Sequence, residues 1–193
     1  RASMPDVPIL SEESEMPAFD ERRSWHTYFL IDPLDGTKEF INRNGEFTVN
    51  IALIQDGMAV MGVVHVPVTG QTYTGMVASG RRVAHLVDAD DQATEIRTRS
   101  LRRGTLGVVG SRRHGSEALA AMVTRLQEEF DDVEFLSMGS SLKLCLIAEG
   151  KADFYPRVAP TCEWDTAAAQ AVVEAAGGCV VDNSLELLRY NQK

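Results

Sequence analysis

Hydrophobic and polar positions in the first half of the chain alternate with the period of a β-strand. "TYFLI" (27–31) is rich in aromatic and β-branched residues, and "FTVNIALI" (47–54) alternates as a half-buried strand should. Beyond a hairpin turn at Asp56-Gly57, three further runs have strand character: "MAVMGVVHV" (58–66), "QTYTGMV" (71–77) and "RRVAHLV" (81–87). This half therefore predicts an antiparallel meander, followed by a polar surface loop over residues 89–104.

The second half alternates strand-like and helical segments. Short strands are predicted at 105–111, 133–138, 152–158 and 177–182, and helices at Glu117 to Phe130, Ser140 to Gly150 and Asp165 to Ala176. Such alternation is typical of a parallel or mixed sheet covered by helices. We therefore predict an α+β chain with two halves, residues 1–110 and residues 111–193.

The composition excludes several classes of protein. With 44% hydrophobic and 24% charged residues, the 193-residue chain can bury a core. No window approaches 18 uncharged apolar residues, so we expect no integral membrane segment. The net charge of −9 argues against a nucleic-acid partner, which would require a basic face. A small anionic substrate is compatible with this charge if divalent metal ions lie between the two sets of negative charge.

The cysteines indicate a reducing compartment. Cys145, Cys162 and Cys179 are odd in number, widely spaced and without a CxxC pair, so we expect buried free thiols. No basic-then-apolar leader opens the printed chain. Together with the acidic charge, these features predict a cytoplasmic location.

Two carboxylates three residues apart, Asp32 and Asp35, end the first strong strand. Pro33 fixes φ and prevents the strand from simply continuing, and Gly36 permits a tight turn. Residues 36–44 have helical character, and Thr37 suits the N-cap or first turn of that helix. A helix N-terminus beside paired carboxylates suits a metal ion together with a phosphate. An acidic turn with an ordinary N-cap is the alternative.

Two further acidic features matter only in combination with this pair. Glu12-Glu13 follows the apolar run "VPIL", and alone it would be a solvated loop. Asp165 follows Trp164, and alone it would be a helix N-cap.

The full pattern resembles the inositol monophosphatase superfamily of metal-dependent phosphatases. Four segments carry the resemblance in the family's order: "PILSEES" (8–14), "IDPLDGTKEFINRNGEFTVNIALI" (31–54), "GSSLKLCLIAEGKADFYPR" (139–157) and "WDTAAAQAVVEAAGG" (164–178). "DGTKEF" with "GSSLK" makes the chain most similar to the CysQ-type branch of bacterial 3'(2'),5'-bisphosphate nucleotidases. The resemblance implies a layered α/β/α/β/α sandwich, as in fructose-1,6-bisphosphatase, with an antiparallel sheet in the first half and a smaller mixed sheet in the second.

The resemblance implies a site for two or three Mg²⁺ ions. Its expected ligands are four carboxylates and one backbone carbonyl: Glu12, Asp32, Asp35 and Asp165, with the carbonyl of Leu34. Such hard oxygen ligands are the ones that magnesium prefers. Two such ions would supply a nucleophilic hydroxide and stabilise the leaving alkoxide. Glu13 is expected to be a supporting or solvated neighbour.

The resemblance also implies the catalytic roles. Thr37 matches the hydroxyl that orients the attacking water, with Glu12 and Asp35 as the other catalytic groups, and the amides of Gly36 and Thr37 are expected to hold the phosphate. The family couples its threonine to an aspartate in an upstream "TxAD"-like segment, which the printed chain lacks before Glu12. We therefore expect either an additional N-terminal portion or a chain that is not competent for turnover.

Contacts to the nucleotide are implied at five further positions: Lys38, His114, Ser140, Lys143 and Arg157, with Asp165 shared between metal and substrate. A lysine and an arginine beside a metal–phosphate centre suit the second phosphate, which is not cleaved. Each has an alternative: His114 as a surface residue, Ser140 as a helix N-cap and Arg157 as a salt-bridge partner. Three residues, Phe47, Met61 and Tyr73, are expected in the core rather than in an adenine pocket.

The function implied is hydrolysis of adenosine 3',5'-bisphosphate to AMP and phosphate, in sulfur metabolism, with 3'-phosphoadenylyl sulfate as a second substrate and lithium as an inhibitor. Three alternatives stay open. An inositol or sugar phosphate phosphatase typically carries Asn-Phe where this chain has Lys38-Glu39-Phe40. An aspartyl-phosphate phosphatase has Asp-x-Asp-Gly-Thr, which is one residue shorter than the motif here. A truncated module would bind metal and nucleotide without turnover. The resemblance leaves open a homodimer and peripheral association with the inner membrane.

Overall fold

A seven-stranded sheet forms the first half of the chain in the computed structural model, which describes residues 6–101, 104–110, 117–157 and 159–192. Its strands lie side by side in chain order: β1 (Ile9–Ser11), β2 (Thr27–Asp35), β3 (Thr48–Gln55), β4 (Met58–Val66), β5 (Gln71–Ala78), β6 (Arg81–Val87) and β7 (Ala93–Glu95). Each neighbouring pair from β2 to β7 is antiparallel, which confirms the predicted meander. β1 pairs parallel to β2, so the sheet is not purely antiparallel.

Helices and a smaller sheet make up the rest. Two short helices, α1 (Phe19–Arg22) and α2 (Thr37–Ile41), flank β2, and three more follow the large sheet: α3 (Glu117–Glu129), α4 (Leu142–Ala148) and α5 (Glu163–Ala175). β8 (Thr105–Gly110) and β9 (Asp132–Ser137) pair in parallel, and Phe154 adds an isolated parallel bridge to Val108. The α+β class is confirmed, while the division at residue 110 stays a prediction. Within the described residues, no helix has the length and apolarity needed to cross a bilayer.

A bulge in β2 explains why its two aspartates can lie on one side of the sheet. Asp32 pairs with Asn50 and Asp35 with Thr48, so three steps along β2 oppose two along β3. In a regular strand, residues three apart face opposite sides of the sheet. The extra residue of the bulge turns the side chain of Asp35 toward the side on which Asp32 lies. The strand therefore continues through Pro33 to Asp35 instead of ending before the carboxylates.

The core lies where α5 packs against one face of the large sheet. Residues 167–175 of α5 are all buried, and five of the nine are alanine. The alanines of α5 are not sufficient for its close packing on the sheet, because the strand residues that face α5 must also be small. A Cβ added at Gly62 on β4 would lie 2.0 Å from the carbonyl oxygen of Ala168, and one at Gly75 on β5 would lie 2.4 Å from the Cα of Val172.

Two predicted strands and one predicted loop are wrong. The predicted loop at 89–104 contains β7, because residues 93–95 pair with the edge of β6. The segments 152–158 and 177–182 each form a single bridge rather than a strand, the second between Val181 and Leu187. Of their apolar side chains, Val180 packs against the core, whereas Phe154 and Val181 are 37% and 39% exposed.

Some expected core residues are at the surface. Cys145 is buried, but Cys162 and Cys179 are exposed, so two of the three expected buried thiols are not buried. Tyr73 is buried as predicted, whereas Met61 is 44% exposed on the face of β4 opposite α5. An alternating strand buries only one side, and Met61 lies on the other.

Gly62→Ala is expected to lower the free energy of unfolding by about 3 kcal/mol or more, because its Cβ would overlap the backbone of α5. Urea unfolding measures the loss. The matched control is Met61→Ala, which changes the preceding residue on the opposite face of β4 and is expected to lower the free energy of unfolding by less than about 1 kcal/mol. Equal losses in the two variants would contradict direct backbone packing at Gly62.

Candidate active site

Three carboxylates converge at the end of β2 and the start of α5. Asp32, Asp35 and Asp165 each offer an oxygen, and these oxygens all lie within 4.8 Å of one another. The bulge in β2 supplies the first two, and α5 supplies the third from a distant part of the chain. The structure thus brings together three of the carboxylates expected from the sequence.

Asp35 is held by donors from two parts of the fold. Its Oδ2 accepts hydrogen bonds from the Ser141 amide at 2.5 Å, from Asn50 Nδ2 at 3.2 Å and from Thr48 Oγ1 at 3.4 Å. Thr48 and Asn50 come from β3, and Ser141 is the N-cap of α4. The hydroxyl of Ser141 also donates to Asn50 Oδ1 at 2.9 Å, which fixes the donors relative to one another.

The other two aspartates are oriented by local bonds. Asp32 Oδ1 accepts from the Leu34 amide at 2.9 Å, within the bulge. Asp165 Oδ2 accepts from Thr161 Oγ1 at 2.7 Å and from the Cys162 amide at 3.0 Å. Asp165 is therefore the third residue of α5 in a capping box with Cys162, and not the N-cap itself.

Burial and mutual repulsion oppose ionisation in this cluster. The pKa of Asp32 is raised to about 8, chiefly by burial and also by the nearby carboxylates of Asp35 and Glu12, while the hydrogen bond from the Leu34 amide lowers it. Burial likewise raises the pKa of Asp35, and Asp165 adds to this shift. Crowded hard-oxygen acceptors of this kind fit a divalent cation, which would remove the repulsion.

Glu12 joins the cluster from β1. β1 runs parallel to β2 with Ser11 opposite Ile31, and the Glu12 amide donates to the Ile31 carbonyl at 3.2 Å. The Glu12 carboxylate is close enough to help raise the pKa of Asp32. Glu12 lies at the exposed edge of the site, outside the triad of close oxygens. Glu13 is exposed, as expected for a solvated neighbour.

The turn after β2 places Gly36 and Thr37 next to the triad. Gly36 has φ +88°, a left-handed conformation that favours glycine, and it is the N-cap of α2. Thr37 begins α2, in the first turn as predicted, and its hydroxyl donates to the carbonyl of Leu34 at 3.5 Å. The Leu34 carbonyl and the Thr37 hydroxyl therefore lie on the same side of the turn.

A cleft of about 710 Å³ opens from Asp35 and Asp165. Five residues expected to contact substrate line it, namely Gly36, Lys38, Ser140, Lys143 and Arg157. His114 lies outside the described residues. The structure therefore places the described members of the predicted nucleotide site along one cleft.

Lys143 is a buried cation in the cleft wall. Its Nζ donates to the carbonyl of Ser140 at 2.6 Å and lies 5.5 Å from the centre of the Tyr155 ring. Burial lowers the pKa of this ammonium, and the carboxylate of Asp35 opposes that effect. An ammonium has three donors, so the bond to Ser140 does not exhaust its capacity for a ligand.

Within the described part of the chain, Ser140 is not the N-cap of a helix and Arg157 forms no salt bridge, which were their alternative roles. Ser141 is the N-cap of α4, and Ser140 precedes it with φ +44°, which is uncommon for a residue other than glycine. Arg157 donates to the carbonyls of Ala159 and Pro160 and to the Tyr155 hydroxyl, rather than to a carboxylate. The sequence motifs predicted neither the backbone conformation of Ser140 nor the hydrogen bonds of Arg157.

Several residues that support the site were missed by the sequence analysis. Four of them donate hydrogen bonds to a predicted aspartate, namely Thr48, Asn50, Ser141 and Thr161, and the fifth, Glu46, accepts one from the amide of Gly139 in the turn before α4. Thr48 and Asn50 carried a signal, since they are polar at the buried positions of an alternating strand. The remaining three act from loops or helix ends, where polar residues are unremarkable.

The whole chain, residues 1–193, matches the model of the inositol monophosphatase family, and the chain belongs to that family. The family is metal-dependent, in agreement with the carboxylate triad.

The similar curated proteins belong to one branch of this family, whereas the similar solved structures include both that branch and inositol monophosphatases. The chain is 46% identical over its full length to a protein of Salmonella typhimurium and 47% identical to one of Escherichia coli K12, both named 3'(2'),5'-bisphosphate nucleotidase CysQ, and it spans 74% of each. The crystal structure of CysQ from Bacteroides thetaiotaomicron matches 99% of this chain and 74% of that one, with 41% identity and a TM-score of 0.87. An inositol monophosphatase of Thermotoga maritima matches the entire chain and 69% of its own, at 25% identity and a TM-score of 0.73.

Asp32→Asn is expected to stabilise the metal-free protein at pH 9 by about 1–2 kcal/mol, because a neutral amide removes a buried charge and keeps an acceptor for Leu34. The sign follows from the raised pKa: wild-type stability falls as pH rises from the ordinary aspartate range to about 8 and then levels off, and the variant lacks this loss. Thermal unfolding in chelator measures the effect.

The same variant tests metal binding. Added MgCl₂ should raise the unfolding midpoint of the wild type and leave that of Asp32→Asn nearly unchanged. The control is Asp131→Asn at an exposed position, which should respond to MgCl₂ as the wild type does. Full metal stabilisation of Asp32→Asn would exclude Asp32 from the metal site.

Proposed function

We propose that the chain hydrolyses the 3'-phosphate of adenosine 3',5'-bisphosphate, releasing AMP and phosphate with the consumption of one water. The same reaction would convert 3'-phosphoadenylyl sulfate to adenylyl sulfate. The observation that carries the proposal is the carboxylate triad beside a cleft that Asp35 and Asp165 line together with Lys143 and Arg157. A metal-binding triad suits phosphoester hydrolysis, and two cations suit a second phosphate. The CysQ names of the full-length matches agree with this substrate.

The cation proposed for the triad is Mg²⁺, in two or three copies. The residues that would hold it are Glu12, Asp32, Asp35 and Asp165 with the carbonyl of Leu34. When bound, Mg²⁺ supplies neutralisation of the phosphate charge, acidification of water and stabilisation of the leaving oxygen. The fit rests on the close carboxylate oxygens and on the burial that raises the pKa of Asp32 and Asp35.

The chain's own groups would position the water and the phosphate. Thr37 Oγ1, already directed to the Leu34 carbonyl, can hold the attacking water on the side of the triad. Gly36 has no side chain to obstruct the approach of a phosphoryl group to the backbone there. Asp35, fixed by three donors, keeps its carboxylate orientation without reorganising during the reaction.

The second phosphate is assigned to the cationic side chains that line the cleft. Lys143 has donors beyond its bond to Ser140, and Arg157 lines the same cavity. Lys38 and Ser140 complete this set among the described residues, with His114 proposed from the sequence. A homodimer, a cytoplasmic location, peripheral membrane association and lithium inhibition remain predictions.

Phosphate release tests the function directly. With MgCl₂, the rate on adenosine 3',5'-bisphosphate should exceed that on inositol monophosphate by about 100-fold or more in kcat/KM, since only the first offers a second phosphate to the cations. Chelator should abolish both rates. A preference for inositol phosphate would favour the sugar phosphate alternative, and binding of the nucleotide without phosphate release would favour the non-catalytic module.

Lys143→Met should raise KM for adenosine 3',5'-bisphosphate by about tenfold, because it removes the buried cation while keeping most of the side-chain volume. With adenosine 3'-monophosphate, which lacks the second phosphate, the same variant should change KM by less than about threefold. The comparison separates phosphate recognition from damage to the fold, since structural damage would affect both substrates. Equal losses would contradict the assignment of Lys143.

A further inference from the structure

Glu46 connects the segment before β3 with the turn that precedes α4. Its Oε2 accepts a hydrogen bond of 2.7 Å from the amide of Gly139, 93 positions later in the chain. The two segments also touch through their backbones, since a Cβ added at Gly139 would lie 2.9 Å from the carbonyl oxygen of Glu46 and 2.5 Å from Cγ of Glu39. The turn is therefore fixed against Glu46 by a charged acceptor and by close packing.

The other end of this turn holds the metal-site carboxylate. Two residues after Gly139, the Ser141 amide donates to Asp35 Oδ2 at 2.5 Å, and the Ser141 hydroxyl contacts Thr48 and Asn50 at 2.9 Å each. Ser140 between them has φ +44°, a conformation that surrounding contacts must maintain. A shift of Gly139 would therefore be transmitted to the donor of Asp35.

We propose that Glu46 is a positioning residue for Asp35, acting through the Gly139 amide and the Ser141 amide. Glu46 contributes its reach as a hydrogen-bond acceptor, and its negative charge is secondary. The competing role is electrostatic, because the Glu46 carboxylate is also one of the charges that favour the protonated form of Lys143. The inference rests on the proposed function where it is tested by kcat. The Mg²⁺ titration and the amide spectra test it independently of that function.

Two conservative variants separate reach from charge. Glu46→Gln keeps an oxygen at the position of the acceptor and removes the charge. Glu46→Asp keeps the charge and withdraws the carboxylate by one methylene from the Gly139 amide. Positioning predicts that only the aspartate variant is impaired, whereas an electrostatic role predicts that only the glutamine variant is impaired.

The expected result for Glu46→Asp is a kcat lower by about tenfold and a calorimetric Kd for Mg²⁺ weaker by about fivefold, since Asp35 loses a fixed orientation. Proton–nitrogen correlation spectra of the metal-free protein should show shifted amide resonances for both Gly139 and Ser141. Glu46→Gln should remain within about twofold of the wild type in kcat and in Kd, with a smaller change at Ser141.

The matched control is Glu95→Gln, an exposed carboxylate on β7 that bonds to Arg97 and lies outside the cleft. It should leave kcat, the Mg²⁺ affinity and both amide resonances unchanged. Impairment of Glu46→Gln equal to or greater than that of Glu46→Asp would overturn the proposal, as would an unchanged Ser141 resonance in Glu46→Asp. If the wild type fails to hydrolyse the bisphosphate, the proposed function falls, while the Mg²⁺ titration and the spectra still decide the role of Glu46.

Discussion

Repulsion among carboxylates at the end of β2 is the constraint on which the rest of the site depends. Asp32 is 1% exposed and lies beside Asp35 and Glu12, with Asp165 approaching from α5. Without a cation, this arrangement costs stability, so the surrounding structure must hold it in place. The bulge in β2, the capping box of α5 and the donors from β3 each orient one or two of these groups. The fold therefore holds together carboxylates whose ionisation is unfavourable, and a divalent cation would offset that cost.

Much of the fold and all three members of the triad could be predicted from local patterns. Alternation of buried and exposed positions in β3, β4 and β5 follows the apolar pattern of the sequence, and Asp32, Asp35 and Asp165 were found because they belong to recognisable motifs. The bulge was not predicted, since Asp-Pro-Leu-Asp-Gly is equally typical of a turn that ends a strand. The segment 177–182 has strand composition but forms only one bridge, to Leu187, which shows that strand propensity without an adjacent partner is insufficient.

Contacts that join distant segments could not be predicted. Ser141 and Asp35 are 106 positions apart, and Gly139 and Glu46 are 93 apart. Neither bond has a local signature, because a backbone amide is present at almost every residue and reveals nothing of its partner. These contacts determine whether the expected ligands have the orientation that chemistry requires. Motifs thus identified the carboxylates that converge, while the groups that orient them were found only in the tertiary structure.

Packing of α5 on Gly62 and Gly75 has a consequence for how proteins of this architecture diversify. Where backbone lies directly against backbone, no side chain can be exchanged to compensate for a shift, so substitutions have little room to move Asp165. Lys38 and Arg157 are instead exposed side chains on the cleft wall, and their replacement would leave the buried packing intact. Evolution can therefore alter which molecule the cleft accepts on one wall while the other conserves the chemistry performed on it.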